Sequence, residues 1–170
     1  NFTIFPAAAF VEMAIEAGVQ LFEGRPFVIE DLEIRKPLIL PDPPSALSLE
    51  FAYEPGGRTF TIQSRLDQGV AWSLHVIGSI RGERIDSAFA SSTWSGLHAT
   101  SLFPVEVAGF YNHLSDLGLR YGEEFRPIRE LAAGGGRSAG NVSLSEKVAP
   151  RAGEYRLHPV LLDGGLQVFS

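Results

Sequence analysis

The pattern of hydrophobic and polar positions changes period several times along this chain, and each change marks an element. Pro6 to Phe22 (PAAAFVEMAIEAGVQLF) is apolar almost all the way round a helix, because Glu12, Glu16 and Gln20 recur every fourth residue and form one narrow stripe. Pro6 suits a first helical turn, and Ala7, Ala8, Ala9, Ala14 and Ala17 favour the helix and allow close approach. A surface helix would carry a wider polar face, so this one is expected to lie inside a concave sheet. After Gly24, a natural helix stop, Phe27–Ile34 reads as a strand with a short continuation over Pro37–Leu40, and the PDPP at 41–44 forces a turn. Alternation of period two then begins. Leu47, Leu49, Phe51 and Tyr53 share one face, and beyond Pro55-Gly56-Gly57 the residues Phe60, Ile62 and Leu66 repeat it, which predicts a hairpin. In the next strand Val70, Trp72, Leu74, Val76 and Ile80 are expected on the apolar face, with Ser73, His75 and Ser79 opposite. Three such strands need a cover, and the helix at 6–22 is the element available.

From Arg81 to about Thr100 the periodicity fades and the chain reads as a connector. Helical spacing returns over Pro104–Leu117 through Val107, Phe110, Tyr111, Leu114 and Leu117, with Gly118 as its stop. A loop (LRYGEEF) and a strand follow, then the glycines 134–136 as a hairpin turn, a second strand over Ser138–Leu144, and a last helix opened by Pro159. Laid over one another from Pro6 and Pro159, FPAAAFVEMA and HPVLLDGGLQ are two X-Pro entries into apolar helices, a sign of repetition. The organisation expected is a first unit over 1–85, a connector over 86–103, and the N-terminal part of a second unit over 104–170.

Composition narrows the function. The chain has 170 residues and no cysteine, which excludes disulfides, thiolate nucleophiles and Cys-based zinc sites. A formal net charge of −6 argues against a nucleic-acid partner. No apolar run is long enough to span a bilayer, so a cytoplasmic location is expected. The absence of an initiator methionine, and an end at Ser170 inside a helical pattern, are expected of an excerpt from a longer polypeptide.

The chemistry points to Asp163. With Pro159 at the first helical position it lies at the fifth, past the turn where a carboxylate would serve the free N–H groups. Its neighbours Leu161, Leu162 and Leu166 predict burial, which favours the neutral acid, and Gln167 lies one turn on, able to orient the carboxyl group without adding charge. That combination describes a general acid; a water-facing Asp beside a loose Gly164-Gly165 turn is the plain alternative. A second candidate is GLRYGEEF at 118–125, where Gly122 would permit an unusual backbone or a close approach and Tyr121 offers a hydroxyl. His158 is expected to cap the last helix or to pack beside it, while His75, His98 and His113 lack ligand-like spacing.

In order and at suitable intervals, FPAAAFVEMA, GLRYGEEF and HPVLLDGGLQ resemble the dehydratase domains of polyketide synthases. The family pattern H-x-x-x-G-x-x-x-x-P ends at Pro6. G-Y-x-Y-G-P-x-F falls on Gly118, Tyr121, Gly122 and Phe125, with Leu119 and Glu123 in place of a tyrosine and the proline. H-P-x-L-L-D-x-x-x-Q/H falls on His158, Pro159, Leu161, Leu162, Asp163 and Gln167. The resemblance implies an α+β double hot-dog, each unit a curved antiparallel sheet wrapped round a long helix, with the second unit incomplete here. It implies loss of water from a 3-hydroxyacyl thioester on an acyl carrier protein, with Asp163 as acid and a histidine expected four positions before Asn1 as base. Tyr121, Gly122 and Gln167 would support Asp163, and Pro6, Phe10, Phe125 and Leu162 would face substrate. No metal or nicotinamide is implied; the substrate rides on phosphopantetheine. Neighbouring synthase domains and a homodimer are the implied partners, and Arg25, Arg126 and Arg129 are the cations proposed for carrier docking. A catalytically silent hot-dog module and a product-template-type cyclase are the alternatives.

Overall fold

The helix of the first unit, α1 (Ala7–Leu21), leaves Pro6 as its cap and shows no fully exposed residue from Ala7 to Val19, as its nearly continuous apolar surface requires. The computed structural model describes residues 2–41, 46–66, 69–83 and 102–169. Two compact units divide the chain, Asn1–Ser87 and Ala88–Ser170; most of the connector expected over 86–103 lies outside the described residues.

In the first unit α1 is covered by an antiparallel sheet of β2 (Phe27–Ile34), β4 (Leu47–Glu54), β5 (Thr59–Leu66) and β6 (Ser73–Gly82), in the order β2-β6-β5-β4. Phe10, Ala14, Leu38, Phe60, Ile62, Val76 and Ile80 form its core. Burying that apolar surface is the main stabilising term for the unit. The Pro37–Leu40 stretch does not simply continue β2. Its end, β3 (Ile39–Leu40), pairs with β1 (Thr3–Ile4) in a separate ribbon, and Phe5 N–H donates to the Leu38 carbonyl at 2.8 Å, which anchors the entry to α1.

The face expected for β6 needs correcting. Ile62 pairs with Val76 but Gln63 pairs with Leu74, so His75 is an extra residue, a β-bulge. The bulge reverses the alternation. Leu74, Trp72 and Val70 are exposed, Val70 at 98 %, whereas His75 turns inward and is 2 % exposed. Burial of its ring is tolerated because both nitrogens are used: Nδ1 donates to the Lys36 carbonyl at 3.0 Å, and Nε2 shares a hydrogen bond with Ser64 Oγ at 2.7 Å.

The second unit begins differently from expectation. Phe103–Pro104 is not helical but a short strand, β7, paired with Ala132 and Ala133. The helix α2 (Val107–Asp116) starts only after Glu106, whose carboxylate accepts from Ala108 N–H at 2.9 Å and from Gly109 N–H. Gly118, at φ +92°, ends it, with Leu119 N–H donating back to Leu114. The strands β8 (Ile128–Gly134) and β9 (Arg137–Val142) form a hairpin whose two central residues, Gly135 and Gly136, both have positive φ, the conformation a two-residue turn of this hand demands. The last helix, α3 (Pro159–Gln167), comes close enough to Pro127 and Val142 that Gly164 has no room for a side chain. Tyr111, Leu114, Ile128, Leu131 and Val168 make this unit's core. Beside it Val105, Phe110, Val168 and Phe169 line an open groove of about 780 Å³.

Gly18 tests how tightly α1 is enclosed. A β-carbon there would clash with the edge of the Phe27 ring and come within 2.8 Å of Ile80 Cδ1. Ala would gain about 1 kcal/mol of helix propensity over Gly, but overpacking costs about 1–3 kcal/mol. Gly18→Ala is therefore expected to lower the unfolding midpoint in a denaturant titration, and an unchanged or higher midpoint would show that α1 is loosely held.

Candidate active site

Pro159 at the first helical position and His158 as the cap set the phase of α3: His158 Nδ1 accepts from Val160 N–H at 3.1 Å, as expected of a capping residue. That phase puts Asp163 and Gln167 one turn apart on the same face, and Gln167 Nε2 donates to Asp163 Oδ2 at 2.6 Å. Gln167 is 1 % exposed and spends its remaining polar atoms on two other elements. Nε2 also donates to the Phe125 carbonyl at 3.0 Å, and Oε1 accepts from the Tyr111 hydroxyl at 2.8 Å. Tyr111 in turn accepts from Ile128 N–H at 3.3 Å. One amide thus ties α3 to α2 and to the turn before β8.

Asp163 is half-buried, and burial pushes its carboxyl above the usual carboxylate range while the Gln167 donor pulls the other way. Its burial does not come from Leu166, which is 52 % exposed; Leu161 and Leu162 are half-buried. Tyr121 stands against the Tyr111 ring edge-on, centroids 6.2 Å apart. Burial raises its phenol, and the negative charge of Asp163 raises it further. No direct hydrogen bond joins the two. Burial likewise raises the Tyr111 phenol, with Arg126 and Arg129 opposing.

The other residues singled out fare unequally. Gly122 needs neither property expected of it: its φ is −69° and nothing lies within 4 Å of where a β-carbon would sit. It caps the short 3-10 turn Glu123–Phe125 through its carbonyl. Phe10 is 1 % exposed, packed between Phe5 and His75 in the first unit's core, and is therefore removed from the substrate-facing set. Pro6 caps α1, and no side chain caps that end. Of the cations proposed for docking, Arg126 bonds the Tyr121 carbonyl and lies over the Tyr111 ring, and Arg129 bonds Ser143; Arg25 bonds the Phe22 carbonyl and approaches Glu23 at 3.9 Å. Among the described residues no cluster of acidic, His or Cys side chains could hold a metal, and no helix is long and apolar enough to cross a membrane.

Two family models match the chain: "Polyketide synthase dehydratase domain" over residues 1–65 and "Polyketide synthase dehydratase N-terminal domain" over residues 90–170. The chain belongs to the polyketide synthase dehydratase domains. Among curated relatives, polyketide synthase GfsE of Streptomyces halstedii and mycoketide-CoA synthase of Mycobacterium tuberculosis are each 34 % identical over 96 % of this chain, which spans 4 % of either protein. The dehydratase domain from the CurK module of curacin polyketide synthase superimposes with a TM-score of 0.85 at 26 % identity, over 97 % of this chain and 59 % of that one. Inactive mutants of CurK dehydratase, one with a histidine replaced by phenylalanine and one with an aspartate replaced by asparagine, superimpose at 0.86 and 0.79, each 26 % identical over 99 % of this chain and 60 % of theirs. The double hot-dog architecture of this dehydratase family is thereby established for the chain, with the second unit incomplete in it.

The residue that sequence reasoning missed in this dehydratase chain is Tyr111. It reads as one apolar position of an amphipathic helix, and only the fold brings its hydroxyl to Gln167, 56 residues away. A raised carboxyl pKa also has a consequence for stability. The unfolded chain holds Asp163 near its ordinary value of 3.8, so the folded state binds the proton more tightly. Its contribution is fully present below that value and lost as pH rises through the folded value. Asp163→Asn, which keeps an acceptor for Gln167, is expected to raise the thermal midpoint at neutral pH, the gain shrinking as pH falls toward the ordinary carboxylate range. Parallel midpoints across pH would contradict the burial argument.

Proposed function

We propose that this chain contributes the acid side of a site that eliminates water from a 3-hydroxyacyl thioester carried on the phosphopantetheine of an acyl carrier protein. The observation that carries the reading is the Asp163 carboxyl, half-buried, raised in pKa, and hydrogen-bonded by a neutral amide rather than a cation. Such a group keeps its proton to a higher pH than an ordinary carboxylate does and can give it up to a departing oxygen. In the reaction a base removes the proton from the carbon next to the thioester carbonyl, the electrons form the carbon–carbon double bond, and the C–O bond breaks as Asp163 protonates the hydroxyl. Water and the enoyl thioester result, with no change in oxidation state and no cofactor chemistry required.

The base in this reading is a histidine expected upstream of Asn1. The inactive CurK mutants lend support, since they replace one histidine and one aspartate. Tyr121, Phe125 and Leu162 would line the acid's side of the pocket. A cytoplasmic location, neighbouring synthase domains and a homodimeric assembly belong to the same proposal.

The test uses the polypeptide that carries this chain and a 3-hydroxyacyl pantetheine thioester. Asp163→Asn is expected to reduce dehydration, and hydration of the matching enoyl thioester, by at least about 100-fold while circular dichroism is unchanged. Near-normal turnover would remove Asp163 from the mechanism.

A further inference from the structure

A run of hydrogen bonds leads from the backbone of β8 to the carboxyl of α3, and every direction in it is forced. The Ile128 N–H can only donate, so at 3.3 Å it occupies a lone pair of the Tyr111 oxygen and turns the phenol's own proton toward Gln167 Oε1, 2.8 Å away. With Oε1 taken, Gln167 has two amide protons left. The Phe125 carbonyl, which can only accept, takes one at 3.0 Å, and Asp163 Oδ2 takes the other at 2.6 Å. Tyr111 and Gln167 are 5 % and 1 % exposed, so water does not compete for these groups. A reversed amide would set Oε1 against both the Phe125 carbonyl and the carboxylate, acceptors facing an acceptor, and would leave the Tyr111 proton without a partner.

The consequence reaches the proton that matters. Because Oδ2 always receives an N–H, the neutral acid carries its proton on Oδ1. We infer that Tyr111 is a positioning residue for the Asp163 acid: through its hydroxyl it fixes the Gln167 amide, and so assigns Oδ2 to the scaffold and Oδ1 to proton transfer. This rests on the reading of Asp163 as the general acid. The ring of Tyr111 has a separate packing role, against Phe110 and Tyr121 and under Arg126, and that role survives removal of the hydroxyl.

The effect on pH dependence has a definite sign. A donor to a carboxylate favours its charged form. Loosening the amide weakens that donor and raises the Asp163 pKa. The titratable and charged groups on the elements packed about Asp163 are Tyr111, His113 and Asp116 on α2, Arg120, Tyr121 and Arg126 on the segment leading into β8, Arg129 and Glu130 on β8, and Glu123 and Glu124 on the 3-10 turn. Arg137 is on β9 and His158 caps α3; Glu124 is engaged by Ser145 and Lys147. Tyr111→Phe leaves all but the first unchanged.

The test compares kcat and KM against pH in the polypeptide that carries this chain, for the parent, for Tyr111→Phe, and for 3-fluorotyrosine placed at 111, a stronger donor of the same shape. Tyr111→Phe is expected to lower kcat about tenfold with little change in KM, and to move the alkaline limb, which reports the acid, to higher pH. Fluorotyrosine is expected to move that limb the opposite way. Superimposable limbs would overturn the inference and leave Tyr111 a packing residue; should Tyr111→Phe fail to fold, the fluorotyrosine arm decides alone. Asp163→Asn in the same assay separates the two levels. Retained turnover there rejects Asp163 as the acid, whereas lost turnover with unmoved limbs rejects only the relay.

Discussion

A helix with no broad polar face cannot rest on a sheet as a lid; it has to be enclosed. That constraint shapes the first unit. The run from Ala7 to Val19 presents no fully exposed residue, so β2, β4, β5 and β6 must curve around it, and the closeness of the fit is set by small residues such as Ala14 and Gly18 rather than by large ones. Glu12, the one charged residue buried on that helix, lies in the stripe that the sequence leaves polar.

The second unit solves a different problem. Its short α3 has glycines at 164 and 165 and buries a glutamine instead of an aromatic ring. A buried amide is costly unless each of its donors and acceptors is matched. Gln167 meets that condition by drawing on α2, on the turn before β8 and on its own helix, which makes a polar group the fastener between elements. The carboxyl is then held by a structure that would be destabilised if the fastener moved, a more exacting restraint than apolar packing, which tolerates sliding.

Much of this was legible in the chain. Alternation gave β4 and β5, the paired glycines gave the β8–β9 turn, and the four-residue spacing of Asp163 and Gln167 anticipated their bond. What escaped was whatever depends on distant partners. Tyr111 looks like any apolar helix position until Gln167 and Ile128 arrive beside it. Pro104 reads as the start of a helix because the strand that claims it lies about 30 residues on. Gly122 reads as a place for an unusual backbone or a close approach and shows neither, since a glycine in a motif says nothing by itself about φ or about its neighbours. The inward turn of His75 was hidden for the same reason: alternation assumes an unbroken ladder, and the bulge is specified by the neighbouring strand.

The bulge at His75 has a bearing on how this strand can change. Upstream of it the exposed side chains are Trp72 and Leu74; downstream the buried ones are Val76 and Ile80. Those two halves are in opposite phase, and the single extra residue reconciles them. A one-residue deletion at this point would straighten the ladder and leave both halves facing as they do, because Leu74 and Val76 would become neighbours on opposite faces. The bulge is therefore the one place in β6 where a single residue can be lost without turning either half over, whereas a one-residue change within either half would reverse the faces of the residues beyond it.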